Sequence, residues 1–246
     1  MSRKRLDQRV VELGLAESSE KAQRLILAGK VRVNGLVAAK PGRPVAGDAT
    51  IVTEQPERFV SRGGVKIEEA FTRFGLKVEG LVCLDVGAST GGFTDCLLQR
   101  GAARVYAVDV GRGQIHARLR QDARVVVMDR VNARNLKPEQ FPERPAFAAV
   151  DVSLISLTLI LPAVTQVLAG GGHLVTLIKP QFEAGRGKVG RGGVVRDPAV
   201  HAEVIERVRS FGVARLGLKW LGVCESPITG PAGNREFLAH WKKVTP

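Results

Sequence analysis

Four ionisable residues far apart in the chain form the set most able to do chemistry: Lys66, Asp151, Lys179 and Glu236. Lys66 follows Ser61-Arg62-Gly63-Gly64-Val65 where a helix is expected to open. Asp151 and Lys179 each close an apolar, strand-like run, and Glu236 stands just before the last such run. These contexts would deliver all four to one pocket of a single α/β domain. Two amines and two carboxylates together can strip a proton from a weakly acidic hydroxyl. A lysine amine accepts that proton only when neutral, which burial and a second cation promote. Lys179 is the candidate base and Lys66 the neighbouring cation. Asp151 and Glu236 would orient the two ammonium groups and keep a bare charge from being buried. A lysine alone is ordinarily a solvated surface residue; the apolar strand before Lys179 and Pro180 after it weigh against that here.

A second feature is suited to a nucleoside cofactor. The run Asp85-Val86-Gly87-Ala88-Ser89-Thr90-Gly91-Gly92 joins a strand to a helix. Its glycines let the backbone pass close to a ligand, and the helix start offers free N–H groups. Ser89 stands where a dinucleotide-binding turn would have its second glycine, so the match to that pattern is poor. The next two strands end in Asp109 and Asp129. An acid after the second strand can bind both ribose hydroxyls, and one after the third can accept from an adenine amino group. Asp85, Asp109 and Asp129 in series, with the glycine turn, fit S-adenosylmethionine, which has no pyrophosphate to cradle. Joined to the lysine–carboxylate set, this suggests methyl transfer to a ribose hydroxyl.

The elements that must position these groups alternate. Strands are expected at 82–86, 105–110, 125–128, 147–152, 173–178, 220–224 and 237–242, and helices at 65–74, 93–100, 156–168 and 198–211. Such alternation predicts a mostly parallel, doubly wound sheet, which places ligands at the carboxyl ends of its strands. The fold class is therefore α/β, a class I (Rossmann-like) methyltransferase sheet over residues 61–246, with 55–60 as linker.

Residues 1–54 form a smaller α+β module. Leu6, Val10 and Leu13 give helical periodicity; Ser19 is the expected cap of a second helix over 20–28. Lys30-Val-Arg-Val-Asn-Gly-Leu-Val is a hairpin signal centred on Asn34-Gly35. Lys30 and Arg32 share one face of its first strand, and Arg3, Lys4, Arg5 and Arg24 flank the unit. The words Arg5-Leu-Asp, the run from Lys21 to Gly35 and Lys40-Pro-Gly resemble the S4 RNA-binding domain.

Composition sets the outer bounds. The 246 residues carry a net charge of +13, a field that attracts polyanions, nucleic acid first. The apolar fraction of 44% supports a real core. Cys83, Cys96 and Cys224 form no Cys-x-x-Cys pair, and the histidines lack ligand spacing, so neither a disulfide scaffold nor a metal site is expected. No apolar run follows the charged start, and the apolar stretch 154–168 falls short of the ~20 residues a spanning helix needs. A cytoplasmic protein without membrane attachment is expected.

The motifs Ser61-Arg-Gly-Gly, Asp85-Val-Gly-Ala-Ser-Thr-Gly-Gly-Phe-Thr-Asp, Asn132-Ala-Arg-Asn-Leu, Asp151-Val-Ser-Leu-Ile-Ser-Leu, Lys179-Pro-Gln-Phe-Glu and Gly192-Gly-Val-Val-Arg-Asp-Pro resemble the TlyA family across almost the whole chain. That family pairs an S4 domain with an FtsJ/RrmJ-like domain and transfers a methyl group from S-adenosylmethionine to cytidine 2′-hydroxyls of ribosomal RNA. The resemblance implies Lys66, Asp151, Lys179 and Glu236 as a catalytic tetrad, and RNA contact by Arg3, Arg5 and Arg134; Arg62 joins them as a candidate. It implies ribosomal RNA and ribosomal subunits as partners, with large-subunit RNA the first candidate substrate. The family's usual linker tryptophan or tyrosine is Phe59 here. A glycine-rich basic loop with Arg186, Lys188 and Arg191 is expected to close over RNA phosphates. Two rivals remain: a pore-forming hemolysin, because members carry that name, and an RNA-binding assembly factor without catalysis. The oligomeric state is left between monomer and weak dimer.

Overall fold

A computed structural model of the chain describes residues 3–53 and 58–245. The chain divides into two compact units, residues 1–57 and 58–246. Residues 54–57, which include the first half of the expected linker 55–60, lie outside the described residues.

The first unit runs β1 (Lys4–Arg5), α1 (Leu6–Glu12), α2 (Ser19–Leu27), β2 (Val31–Val33), β3 (Leu36–Val37), β4 (Pro44–Val45) and β5 (Ile51–Thr53). Leu6, Val10, Ile26 and Val31 are fully buried and form its core. The cap of α2 is Ser18, not the expected Ser19: the Ser18 hydroxyl accepts from the Lys21 N–H at 3.3 Å, and Ser19 is the first helical residue. The hairpin turn is as expected, with Asn34 at φ 50° and Gly35 at φ 81°. The short β1–β4 pair joins residues about forty positions apart and has no local signal.

The second unit runs α3 (Gly63–Phe74), β6 (Val82–Val86), α4 (Gly92–Gln99), β7 (Arg104–Asp109), α5 (Ala117–Arg120), β8 (Val125–Asp129), β9 (Phe147–Val150), α6 (Leu157–Val167), β10 (His173–Ile178), α7 (Pro180–Glu183), α8 (Pro198–Leu216), β11 (Leu218–Glu225) and β12 (Phe237–Lys243). Its seven strands order as β11-β12-β10-β9-β6-β7-β8. The five from β10 to β8 are parallel, and β12 enters antiparallel between β10 and β11. The period-2 alternation of strand side chains divides the core. Leu84, Val86, Ala148 and Val150 face α6 and α8, whereas Cys83, Phe147 and Ala149 face α3 and α4. All five parallel strands end on one edge, which receives the loops carrying the candidate residues.

The second unit begins at Arg58, three residues before the expected Ser61. Phe59 is buried, and a Cβ on Gly64 would stand 2.1 Å from its ring, so the aromatic ring occupies the space that the glycine leaves at the start of α3. The Val60 N–H is fixed on Asp95 at 2.8 Å.

Candidate active site

The turn after β6 is shaped by close backbone approach. Gly87 has φ 83°, and a Cβ there would lie 2.3 Å from the Asp151 carbonyl oxygen. A Cβ on Gly92 would meet Ser61 Oγ at 2.3 Å and the Gly64 nitrogen at 2.8 Å. The turn is thus wedged between the loop after β9 and the segment that opens α3. Ser89, at φ 48°, is held by its N–H on Asp109 Oδ2 at 2.8 Å.

Two cavities flank this turn. The first, about 390 Å³, is lined by Gly87, Ser89, Asp109, Asn132, Arg134 and Asp151 among others. The second, about 410 Å³, is lined by Arg62, Gly63, Lys66, the turn residues Gly87–Thr90 and Gly92, Asp151 and Pro231. Gly87, Ser89 and Asp151 belong to both walls. Of the expected cofactor residues, Asp109 therefore faces a cavity, its oxygens each taking one backbone N–H, from Ser89 and Gly111, at 2.8 and 2.7 Å. A carboxylate with two such bonds keeps acceptor capacity for ligand hydroxyls.

Asp85 and Asp129 line neither cavity, contrary to their expected placing. β6 continues through Val86, so Asp85 points to the α4 face together with Cys83. Its Oδ2 accepts from the Thr94 N–H at 2.9 Å and hydroxyl at 2.6 Å, while its buried Oδ1 has no hydrogen-bond partner. Complete burial, helped by the charges of Asp151 and Asp109, pushes its carboxyl up to about 7 against the opposing Thr94 bonds. Asp129 instead takes the Gly113 N–H at 3.1 Å and Arg120 at 3.2 Å, and the first of these leads in lowering its proton affinity. Gly91, at φ 100° with Leu119 2.3 Å from an added Cβ, lines neither cavity and serves the turn itself.

The four reactive residues form two ion pairs. Lys66, in the first turn of α3, contacts Glu236 Oε2 at 2.6 Å, with side chains 10% and 1% exposed. Lys179, directly after β10, lies 2.6 Å from Asp151 Oδ1 and donates to Ser153 Oγ at 2.8 Å. The Asp151 Oδ1 is buried, and the Lys179 ammonium is its charge partner, an ion contact without hydrogen-bond geometry. Lys66 and Asp151 line the second cavity together; Glu236 and Lys179 are paired directly to them.

The candidate RNA residues separate into several groups. Arg62 and Arg134 are exposed at the walls of the second and first cavities respectively. In the first unit Arg3 and Arg24 are exposed and Lys30 is half-buried. Arg32 is exposed and reaches the Gly35 carbonyl at 3.4 Å. Lys4 is paired with Glu12 at 2.7 Å. Arg5 grips the buried Asp7 with two bonds of 3.1 and 2.7 Å, so it also holds its own unit together. Lys188 is paired with Glu203 of α8 rather than projecting from its loop, and the Arg186 side chain lies outside what is described.

Several site residues carried no recognised role in the sequence. Ser153, which steadies Lys179, lies inside the Asp151-Val-Ser motif. Glu183 is buried and accepts from Ser156 Oγ and the Leu157 N–H, each at 2.7 Å, which caps α6 from the loop after Lys179. Asn234 is 1% exposed and joins two loops. Their only signal is proximity to the reactive residues in the chain.

A seven-stranded sheet with one antiparallel insertion, a glycine turn after its central strand and an acid after the next define a class I methyltransferase. The chain matches the FtsJ-like methyltransferase family over residues 59–243 and the S4 domain over residues 4–51. It belongs to the TlyA family, an S4 domain followed by an FtsJ-like methyltransferase domain. It is 47% identical over 237 residues to the 16S/23S rRNA (cytidine-2′-O)-methyltransferase TlyA of Mycobacterium tuberculosis, covering 96% of this chain and 88% of that one. A solved structure from Streptococcus thermophilus, provisionally described as a hemolysin, aligns with TM-score 0.76 at 46% identity, covering 100% and 90% of the two chains. The N-methyltransferase NodS of Bradyrhizobium japonicum, solved with S-adenosyl-L-homocysteine, aligns at TM-score 0.52 and 16% identity over 74% and 85%, a likeness of fold alone. Among the described residues no helix is long and apolar enough to cross a membrane, and no group of histidine, cysteine or acidic residues could hold a metal ion.

Proposed function

We propose that this protein methylates the 2′-hydroxyl of a cytidine in ribosomal RNA, with S-adenosylmethionine as donor. The observation that carries the reading is the joint wall of the two cavities: Asp151 borders both, with Lys179 on its carboxylate and Lys66–Glu236 across the second cavity. The first cavity suits the cofactor. Gly87 has no room for a side chain, Asp109 retains acceptor capacity for ribose hydroxyls, and Asp151 lines the same wall. When bound, the cofactor supplies an electrophilic methyl group on a cationic sulfur.

The second cavity is the place for the target ribose. Lys179 enters the reaction as the neutral amine, its ammonium proton having passed to solvent, and takes the proton from the 2′-oxygen as that oxygen attacks. Ser153 and Asp151 hold the Lys179 amine from two sides and so fix its reach. Lys66 supplies positive charge beside the developing alkoxide, and Glu236 anchors it. Arg62 and Arg134, exposed at the two cavity walls, meet phosphates on either side of the target nucleotide, while the S4 unit adds sequence-independent attraction. A pore-forming activity has no support in the described helices.

The test is transfer of labelled methyl to purified ribosomal subunits, mapped by mass spectrometry, with Lys179→Ala alongside. The wild type is expected to label a cytidine ribose, and the variant to lose at least a thousandfold in rate while keeping RNA affinity. Retained turnover in Lys179→Ala removes it as the base; label on a base nitrogen or carbon removes the ribose assignment.

A further inference from the structure

Between α7 and α8 the chain forms a glycine-rich loop, and its final part is firmly held. The Val195 N–H donates to Asn234 Oδ1 at 2.9 Å, and Asn234 Nδ2 donates to the Gly193 carbonyl at 2.9 Å. The Val195 carbonyl is met from the other side by His201 Nε2 at 3.0 Å, and the His201 ring packs on Phe237 with centroids 5.4 Å apart. Where this clamp begins, Gly192 and Gly193 have φ 75° and 73°, with open space where a Cβ would stand. Arg191, exposed, precedes them, and Arg196, also exposed, follows the clamp. The loop thus has a fixed foot, a glycine pair beside it and a cation on each flank.

The other end of the clamp leads to the reacting groups. Asn234 is 1% exposed, and its main-chain oxygen accepts from the Gly230 N–H at 2.9 Å, closing the 230–234 turn two residues before Glu236. Glu236 Oε1 stands 2.7 Å from where a Cβ on Gly230 would be, so the carboxylate is packed against the same turn. Its Oε2 holds Lys66. A buried amide that spends both its donor and its acceptor on a second loop does more than close its own turn, for which the Gly230 bond suffices.

We propose that Asn234 is a positioning residue for methyl transfer: it makes the placement of Glu236, and through it Lys66, depend on the foot of the basic loop. RNA contact with that loop and the readiness of the Lys66 amine then become one linked event. The nature of the ligand on the loop rests on the reading given under Proposed function; the mechanical link does not.

Two variants separate the bonds. Asn234→Ala removes both, and Asn234→Asp keeps the acceptor for Val195 while losing the donor to Gly193. With the full-length protein and ribosomal subunits, Asn234→Ala is expected to lower kcat at least tenfold with cofactor Kd within twofold of wild type. Asn234→Asp sets a buried carboxylate against the Gly193 carbonyl and is expected to lose at least as much as Asn234→Ala. Arg191→Ala should slow the otherwise unaltered protein yet add nothing in the Asn234→Ala background, a non-additivity that marks direct coupling. Amide hydrogen exchange supplies a readout independent of turnover. In Asn234→Ala, exchange should rise both at 190–196 and at 63–68, the segment containing Lys66. Faster exchange confined to the loop, or rate effects that multiply, overturns the inference. A wild type that methylates no ribosomal RNA overturns the assigned activity instead, and the exchange pattern still decides the role of Asn234.

Discussion

Removing Glu236 tests whether the buried Lys66–Glu236 ion pair is held by mutual neutralisation. Lys66 Nζ and Glu236 Oε2 are 2.6 Å apart, with side chains 10% and 1% exposed. Glu236→Ala would leave the Lys66 ammonium in the same enclosure without its carboxylate. Breaking a buried pair from one side typically costs about 3–5 kcal/mol, whereas replacing both partners by apolar groups of similar volume ranges from neutral to stabilising. For a unit of this size each kcal/mol moves Tm by about 2–4 °C, so the single variant should melt at least ~6 °C lower. The double variant Lys66→Met/Glu236→Leu should recover most of that loss. Both tryptophans, Trp220 and Trp241, lie in the second unit with edge-on rings 4.5 Å apart, so their fluorescence follows its unfolding without interference from the first. Thermal and urea curves read by this signal give the comparison directly. If the double variant loses as much as the single one, or the single loses under about 1 kcal/mol, the charge-burial argument is refuted. The stable double variant should still transfer no methyl group, which separates folding from chemistry.

Three further outcomes are expected. Gly87→Ala combines positive φ with a 2.3 Å approach to the Asp151 carbonyl, and should weaken cofactor binding at least a hundredfold by calorimetry; Gly233→Ala, at φ 86° with open space, should cost only about 1 kcal/mol and leave binding intact. Asp85 binds a proton more tightly folded than unfolded, so its contribution to stability falls as pH rises from about 4 to about 7; Asp85→Asn should flatten this fall, on the order of 4 kcal/mol at most, in urea titrations across that window. Arg5→Ala strips the buried Asp7 of its cation and should lower the melting temperature of the first unit, so its loss of RNA affinity should exceed that of Arg24→Ala in filter binding.

Much of this architecture could be read from residue order. The strand–helix alternation, the Asn34-Gly35 hairpin and the glycine turn are local signals, and the structure has each at its expected position in the chain. Lys179 was legible because an apolar strand must end where a lysine and a proline follow. Asp85 lies inside the expected strand 82–86, one residue before its end, and period-2 alternation turns its carboxyl to the helix side. Ser18 and Ser19 are equivalent as caps in composition, and only the entry angle of the chain decides between them. Lys188 looked like a free cation because Glu203, its partner, comes from the next helix. Glu183 and Asn234 were silent for the same reason, since each acts on backbone brought near by the sheet.

The shared wall at Asp151 bears on how this protein could be inhibited. A single carboxylate borders both chambers, and only Gly87 and Ser89 join it as common boundary. A molecule built to fill the two chambers at once, bridged past Gly87, would gain the affinity increase of linked fragments. Because glycine alone fits at position 87, a resistant variant that narrows the passage would also damage the turn that the protein itself relies on.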